Sequence, residues 1–217
     1  MKKIAFLGNC QVDVYRRILA ASETDFEFKS VEIWRHKPEE FGKISDSLLD
    51  YDVIVTQPLA VQYGPLATEA LRSSAKALLT IHNIHFKGYL PDCDYVGPMG
   101  GRKKSPVGDY HSWVIHDLWA RGKSLDEAVA AVREYPAARV REIFDKSAIE
   151  LRNREAHIDV PVTQFVLDPY TGWELFFTFN HPTIKLHRMY LQSIMDALAV
   201  RMKVQIIKDP LLEHTQW

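Results

Sequence analysis

The sequence predicts an α/β fold in which a parallel sheet is flanked by helices, with a helical insertion in the second half. Three observations carry that expectation. Short apolar or β-branched runs, such as Ile4-Ala5-Phe6-Leu7 and Val53-Ile54-Val55, have the length and composition of buried central strands. Each is followed by a stretch with apolar residues at helical spacing, so strand and helix alternate as in parallel sheets. The 217 residues suit one such domain, long enough to bury a sizeable core.

In chain order, residues 3–7 form the first expected strand and residues 11–21 a helix carrying Val12, Tyr15, Ile18 and Leu19 on one face. Residues 26–33 alternate Phe26, Phe28, Val31 and Ile33 with charged residues, the pattern of a strand near a sheet edge. Residues 53–55 are a central strand, 65–76 have helical periodicity, and 77–81 supply a further strand. Residues 88–109, with three prolines and four of the glycines after Gly88, read as a long loop of the functional kind. Helices resume at 112–121, at the capping box Ser124-Leu125-Asp126-Glu127, and at 137–156, where Val140, Phe144, Ala148 and Leu151 share a face. Residues 111–160 are therefore expected to form a helical subdomain within the single domain 1–217. A last helix is expected from Pro182 to about Met202.

Composition narrows the function. A formal net charge of −1 provides no global field for nucleic acid. Two cysteines, Cys10 and Cys93, do not make a disulfide framework. The apolar run ending at Leu7 is too short for a signal-peptide core or a membrane span, so a cytoplasmic location without membrane insertion is expected. The oligomeric state is left open.

The most informative segment is Gly8-Asn9-Cys10-Gln11, at the expected strand-to-helix junction. Unpaired N–H groups and the positive helix end would favour a thiolate at Cys10 and could cradle an oxyanion. A cysteine near a core strand is equally readable as a small buried hydrophobe. The dinucleotide and Walker glycine patterns are absent, since after Gly8 no glycine follows until Gly42. Ligands of parallel sheets collect beyond the carboxyl ends of the strands, which here bear residues 8–11, 56–59 and 82–85.

His181, held extended by Pro182, is the candidate general base, with capping of the last helix by Asn180 or His181 as the plain alternative. Gln11, Gln57 and Asn9 can donate amide hydrogen bonds to an oxyanion, although Gln57 reads equally as a strand-end amide satisfying loop carbonyls. No third triad member is assigned; Asp92, Asp94 and Asp168 are eligible. His82 and His85, with Cys93 downstream, lack the further ligands of a zinc site, so no metal is expected and one histidine should line the pocket while the other is packed or solvated. Arg102-Lys103-Lys104 and Arg16 are candidate phosphate contacts, against the usual fate of a basic run as a solvated face.

Gly8-Asn9-Cys10-Gln11 after an N-terminal strand resembles the WcbI-type family of polysaccharide-biosynthesis enzymes. Thr56-Gln57-Pro58-Leu59, His85-Phe86-Lys87-Gly88-Tyr89-Leu90-Pro91-Asp92 and Phe179-Asn180-His181-Pro182-Thr183 fit it in the same order. The resemblance implies a three-layer fold related to SGNH hydrolases and flavodoxin-like sheets. It also implies coenzyme A binding, through Gly8, Asn9, Arg16, His82, His85, Arg102, Lys103, Lys104 and Asn180, and acetyl transfer from acetyl-coenzyme A to a sugar acceptor. Cys10 would be the nucleophile, His181 the base, and Gln11 and Gln57 would assist. An esterase using water, or a non-catalytic coenzyme A or glycan-binding protein, are the alternatives.

Overall fold

A computed structural model describes residues 1–98, 100–106, 108–169 and 173–203, the last range without the side chains of Trp173 and Lys203. The chain opens with β1 (Lys3–Gly8), α1 (Gln11–Ala20), β2 (Glu23–Thr24), β3 (Glu27–Glu32), α2 (Phe41–Leu49), β4 (Val53–Thr56), α3 (Thr68–Ser74) and β5 (Leu78–Thr80). β1, β3, β4 and β5 form a parallel sheet in the order β3-β1-β4-β5, with Leu7 opposite both Val31 and Thr56. β3 is the edge strand that its alternating pattern predicts.

Successive side chains of a strand point to opposite faces, and here each face meets its own core. Ile4, Phe6, Val53 and Val55 pack with Tyr15 and Ile18 of α1. Ala5, Leu7 and Ile54 pack with Phe41 and Leu48 of α2 and Leu71 of α3. Covering both faces is what allows the strands to be apolar over residues 4–7 and 53–55, and it gives the three layers.

The second half is assembled from shorter pieces: β6 (Cys93–Tyr95), β7 (Tyr110–Ser112), α4 (Trp113–Ala120), α5 (Leu125–Arg133), α6 (Ala137–Glu155), α7 (Thr163–Val166), β8 (Phe176–Thr178), β9 (His181–Pro182), α8 (Ile184–Ala197) and β10 (Met202–Lys203). Ser112 and Ser124 cap α4 and α5 with their side chains, Ser124 within the expected capping box. Ala148 and Leu151 of α6, with Leu186, Tyr190 and Ile194 of α8, complete the core on the α1 face. A bridge between Ile81 and Val160 extends the sheet beyond β5. Asp159 locks it by accepting from both the N–H and the hydroxyl of Thr80 at 2.7 Å. Among the described residues no helix is long and apolar enough to cross a membrane.

Three expectations are corrected. Residues 88–109 are not all loop, because Cys93–Tyr95 pairs antiparallel with Tyr110–Ser112. The helix expected over 65–76 starts only at Thr68, because Gly64 takes φ +54° within a preceding 3-10 turn. The last helix runs neither from Pro182 nor to Met202. His181 and Pro182 pair with Thr178 and Phe176, a place where a residue without an N–H is tolerated. At its other end, Ala199 adopts φ +52° and the Val200 N–H returns to Met195 O at 3.0 Å, after which Met202 pairs with Thr24.

Candidate functional site

The carboxyl ends of β1, β4 and β5 and the segment before α8 meet around two buried amides. Gln57 follows β4 and accepts the Asn9 N–H at 2.8 Å. Its Nε2 donates to Gln11 Oε1 at 3.1 Å and to His82 O at 3.5 Å. Gln11 Oε1 also accepts the Ile84 N–H at 3.0 Å, while Gln11 Nε2 donates to Ile84 O at 2.8 Å and to Asn180 O at 3.2 Å. Four chain segments are thereby joined below the surface. Gly8 is required here, since a Cβ would stand 2.4 Å from Gln57 Oε1 and 2.9 Å from Val12 Cγ1. This overturns the expectation that Gln11 and Gln57 offer amide donors to an oxyanion. Their protons go to the carbonyls of His82, Ile84 and Asn180 and to Gln11 Oε1, as buried amides must find partners, and the Gln11 N–H is taken by Asn9 Oδ1 at 2.9 Å.

Cys10 occupies the N-cap position of α1, half-buried. Its thiol is not activated in the way the helix end suggests. Burial, then Glu32 at the end of β3, then Asp13 push its pKa up, while the N–H groups of Cys10 and Gln11 against the sulfur act in the opposite sense. At rest it is a protonated thiol.

His181 lies in β9. Its Nδ1 is 2.9 Å from the Thr178 hydroxyl. With that hydroxyl's proton on Asn180 Oδ1, 3.1 Å away, it accepts from Nδ1–H and Nε2 carries the lone pair, with no hydrogen-bond partner for Nε2 among the described residues. Asn180 is itself held: Tyr110 OH donates to its Oδ1 at 2.8 Å and its Nδ2 donates to Tyr95 OH at 2.9 Å. Burial lowers the His181 pKa, which keeps the ring neutral at pH 7. Below it, fully buried His187 packs edge-on against Tyr15 at 5.2 Å, and burial together with His181 pushes its pKa down to about 3. Among the described residues no hydrogen bond joins Cys10 to His181; they are linked through their neighbours Gln11 and Asn180.

The remaining candidates divide. Asn9 Nδ2 donates to Asn83 Oδ1 at 2.9 Å, on the cysteine side. His85 is half-buried, edge-on to Phe179 at 5.1 Å, with burial and Arg154 lowering its pKa. His82 is the packed one, only 2 % exposed and with its Nδ1 on Asn83 O at 2.8 Å. Arg16 is paired with Asp13 at 2.7 Å. The basic run splays. The Arg102 guanidinium stacks 3.4 Å from the centre of the Tyr95 ring, Lys104 pairs with Asp109, and Lys103 turns to α4. Among the described residues no group of three or more His, Cys, Asp or Glu is placed to hold a metal ion.

Sequence reasoning missed Thr178, Asn83 and Arg154. Arg154 donates to Asn83 O at 3.1 Å and His85 O at 2.5 Å, fixing the loop after β5. Thr178 had a signal in its position three residues before His181; Arg154, within a helix of alternating charge, had none. A separate cleft of about 970 Å³ lies between Pro58–Val61, α3 and residues 156–159. Neither Cys10 nor His181 lines it.

A solved structure described as WcbI, a polysaccharide biosynthesis enzyme, superimposes with a TM-score of 0.82 at 22% identity, over 97% of this chain and 74% of that one. That structure is described as the native protein without a disulfide bond between coenzyme A and one of its cysteines. No curated protein matches. The family model for the polysaccharide biosynthesis enzyme WcbI matches residues 3–203, and the chain belongs to that family.

Proposed function

We propose that the protein transfers an acetyl group from acetyl-coenzyme A to a hydroxyl of a sugar in a polysaccharide or its precursor, with Cys10 as nucleophile and His181 as base. The observation that carries this reading is the Gln11–Asn180 hydrogen bond, which ties the residue after a cysteine to the residue before a neutral histidine with a free Nε2. The solved relative's description supports it. A cysteine able to form a disulfide with coenzyme A stands within reach of the ligand's sulfur, and we assign that place to Cys10.

His181 Nε2 takes the Cys10 proton, and the thiolate attacks the thioester carbonyl. The bond from carbonyl carbon to coenzyme A sulfur breaks, and the departing thiolate recovers the proton from His181. Acetyl-cysteine and free coenzyme A remain; two thioesters of similar energy make this exchange nearly balanced. His181 then deprotonates the sugar hydroxyl, which attacks the acetyl-cysteine and restores the Cys10 thiolate, and the proton returns to sulfur. Proton transfer by a placed histidine is worth roughly 10²–10⁴-fold. We assign Asn9, His85, Asn180 and the stacked Arg102 to coenzyme A, Arg102 suiting a phosphate.

The raised Cys10 pKa favours a second route, direct transfer in which His181 activates the sugar and Cys10 shapes the site. Both routes require coenzyme A. The test is thiol release from acetyl-coenzyme A with sugar nucleotides and polysaccharide fragments, using wild type and His181→Asn. Acceptor-dependent release that the substitution removes is the expected result. Hydrolysis of simple acetyl esters with no affinity for coenzyme A would assign an esterase instead, and coenzyme A binding without turnover would assign a binding protein.

A further inference from the structure

The helical hairpin α4–α5 exposes apolar side chains that a monomer would ordinarily bury. Trp119 is 64% exposed and Leu125 72%, with Ile115 one turn before Trp119 on the same face. Large apolar side chains exposed on one hairpin are what an interaction site presents. The loop carrying the basic run reaches it. Lys103 Nζ stands 5.6 Å from the Trp119 ring centre and 3.4 Å from His116 Nε2, and the His116 and Trp119 rings are 6.1 Å apart. Lys103 is held there by its backbone, its N–H on Val96 O at 2.8 Å and its carbonyl on the His111 ring at 3.0 Å. Among the described residues no carboxylate lies within ion-pair distance of Lys103, whereas its neighbours Arg102 and Lys104 both face Asp109.

An exposed indole with an acid-free ammonium over its ring selects a particular chemistry. The π face of an indole carries negative charge density and takes the C–H face of a pyranose; the ammonium donates hydrogen bonds to a carboxylate on the same sugar. A membrane is disfavoured by charge, because the cations at the hairpin tip are neutralised, Arg121 by Asp117 at 3.0 Å and Lys123 by Glu127 at 2.8 Å, leaving no net positive field for anionic lipid. The surface is also continuous with the site: Arg102, adjacent to Lys103, stacks on Tyr95, whose hydroxyl holds Asn180 beside His181.

We propose that Trp119, His116 and Lys103 form a docking subsite for an acidic glycan, a chain of pyranoses bearing carboxylates, that leads along Arg102 towards His181. Only the identification of this glycan with the acyl acceptor rests on the function proposed above. Lys103 is thereby reassigned from coenzyme A to the glycan.

The test is calorimetric binding of tetragalacturonate to the full chain, with maltotetraose as the uncharged control and phosphatidylglycerol vesicles as the lipid control. Tetragalacturonate should bind, and Trp119→Ala and Lys103→Gln should each weaken it about 10-fold, the equivalent of one desolvated cation or ring contact. Trp119→Phe, which keeps a ring, should recover most of the loss. Absent binding, binding indifferent to both substitutions, equal affinity for maltotetraose, or sedimentation with vesicles in place of oligosaccharide binding would each overturn the proposal. Because the readout needs no turnover, binding as expected with no thiol release from acetyl-coenzyme A would leave the subsite standing and remove the acetyl-transfer reading instead.

Discussion

The two sides of the site are built from the same kinds of polar residue and differ in what is left over. On the Cys10 side, the Gln11 and Gln57 amides are buried and their hydrogen-bonding groups are satisfied by Asn9, His82, Ile84, Asn180 and one another. On the His181 side, the chain Tyr110–Asn180–Thr178–His181 is equally connected but ends on a ring nitrogen with a free lone pair. A closed network fixes positions, and an open-ended one delivers reactivity. Amides beside a cysteine are therefore no evidence of an oxyanion hole until their partners are known.

That contrast is broken or sharpened by substitution on each side. His181→Asn should lower acetyl transfer by roughly 10²–10⁴-fold while leaving unfolding by urea nearly unchanged. A rate within a factor of about two of wild type would remove His181 as the base. Gln11→Leu should do the reverse, destabilising the fold by about 3 kcal/mol, because it strands the buried Ile84 N–H and carbonyl and the Gln57 amide. A loss under about 1 kcal/mol in denaturation would show that the buried Gln11–Gln57 pair does not hold the segments together.

The histidines beneath the rim set the acid response. Unfolded, His187 takes up a proton near its ordinary pKa of about 6.5; folded, it refuses one until about pH 3. The unfolded state thus binds more protons in that window, so stability is full above about pH 6.5 and falls as pH drops, by up to about 1.4 kcal/mol per unit for this group. His82, His85 and His181, all lowered by burial, act in the same sense. His187→Phe, which keeps an edge contact with Tyr15, should flatten the decline in a pH series of urea midpoints; an unchanged slope would place the acid sensitivity elsewhere.

The smallest expected effect is the most specific. Thr178→Val removes the acceptor that holds the proton on His181 Nδ1, and should lower activity about 10-fold while shifting the ring's ¹⁵N signals towards the other tautomer. Thr178→Ser should restore both. Unchanged nitrogen shifts in the valine variant would show that Thr178 does not set the tautomer.

What was legible in the sequence follows from how far each determinant reaches. β1, β4 and the edge strand β3 were readable because a strand's burial pattern is written within six residues. The Gly8–Gln11 turn and the extended His181 were readable for the same reason. The commitments of Gln11 were not, since Ile84 and Asn180 lie 73 and 169 residues away. Nor was the resting state of Cys10. The helix end beside it is local, but the carboxylate of Glu32 arrives from a neighbouring strand and, with burial, outweighs it. The start of α8 was misplaced because proline suits a helix's first turn and an edge strand alike, and the pairing with Phe176 decided between them.

The measurement that bears most directly on the account is the intact mass of wild type and Cys10→Ser after mixing with acetyl-coenzyme A and no acceptor. The account predicts one acetyl group on the wild type, mapped to Cys10 and discharged when acceptor is added, and none on the variant. A wild-type protein that stays unmodified while turning over acetyl-coenzyme A in the presence of acceptor would contradict Cys10 as the nucleophile and leave direct transfer by His181.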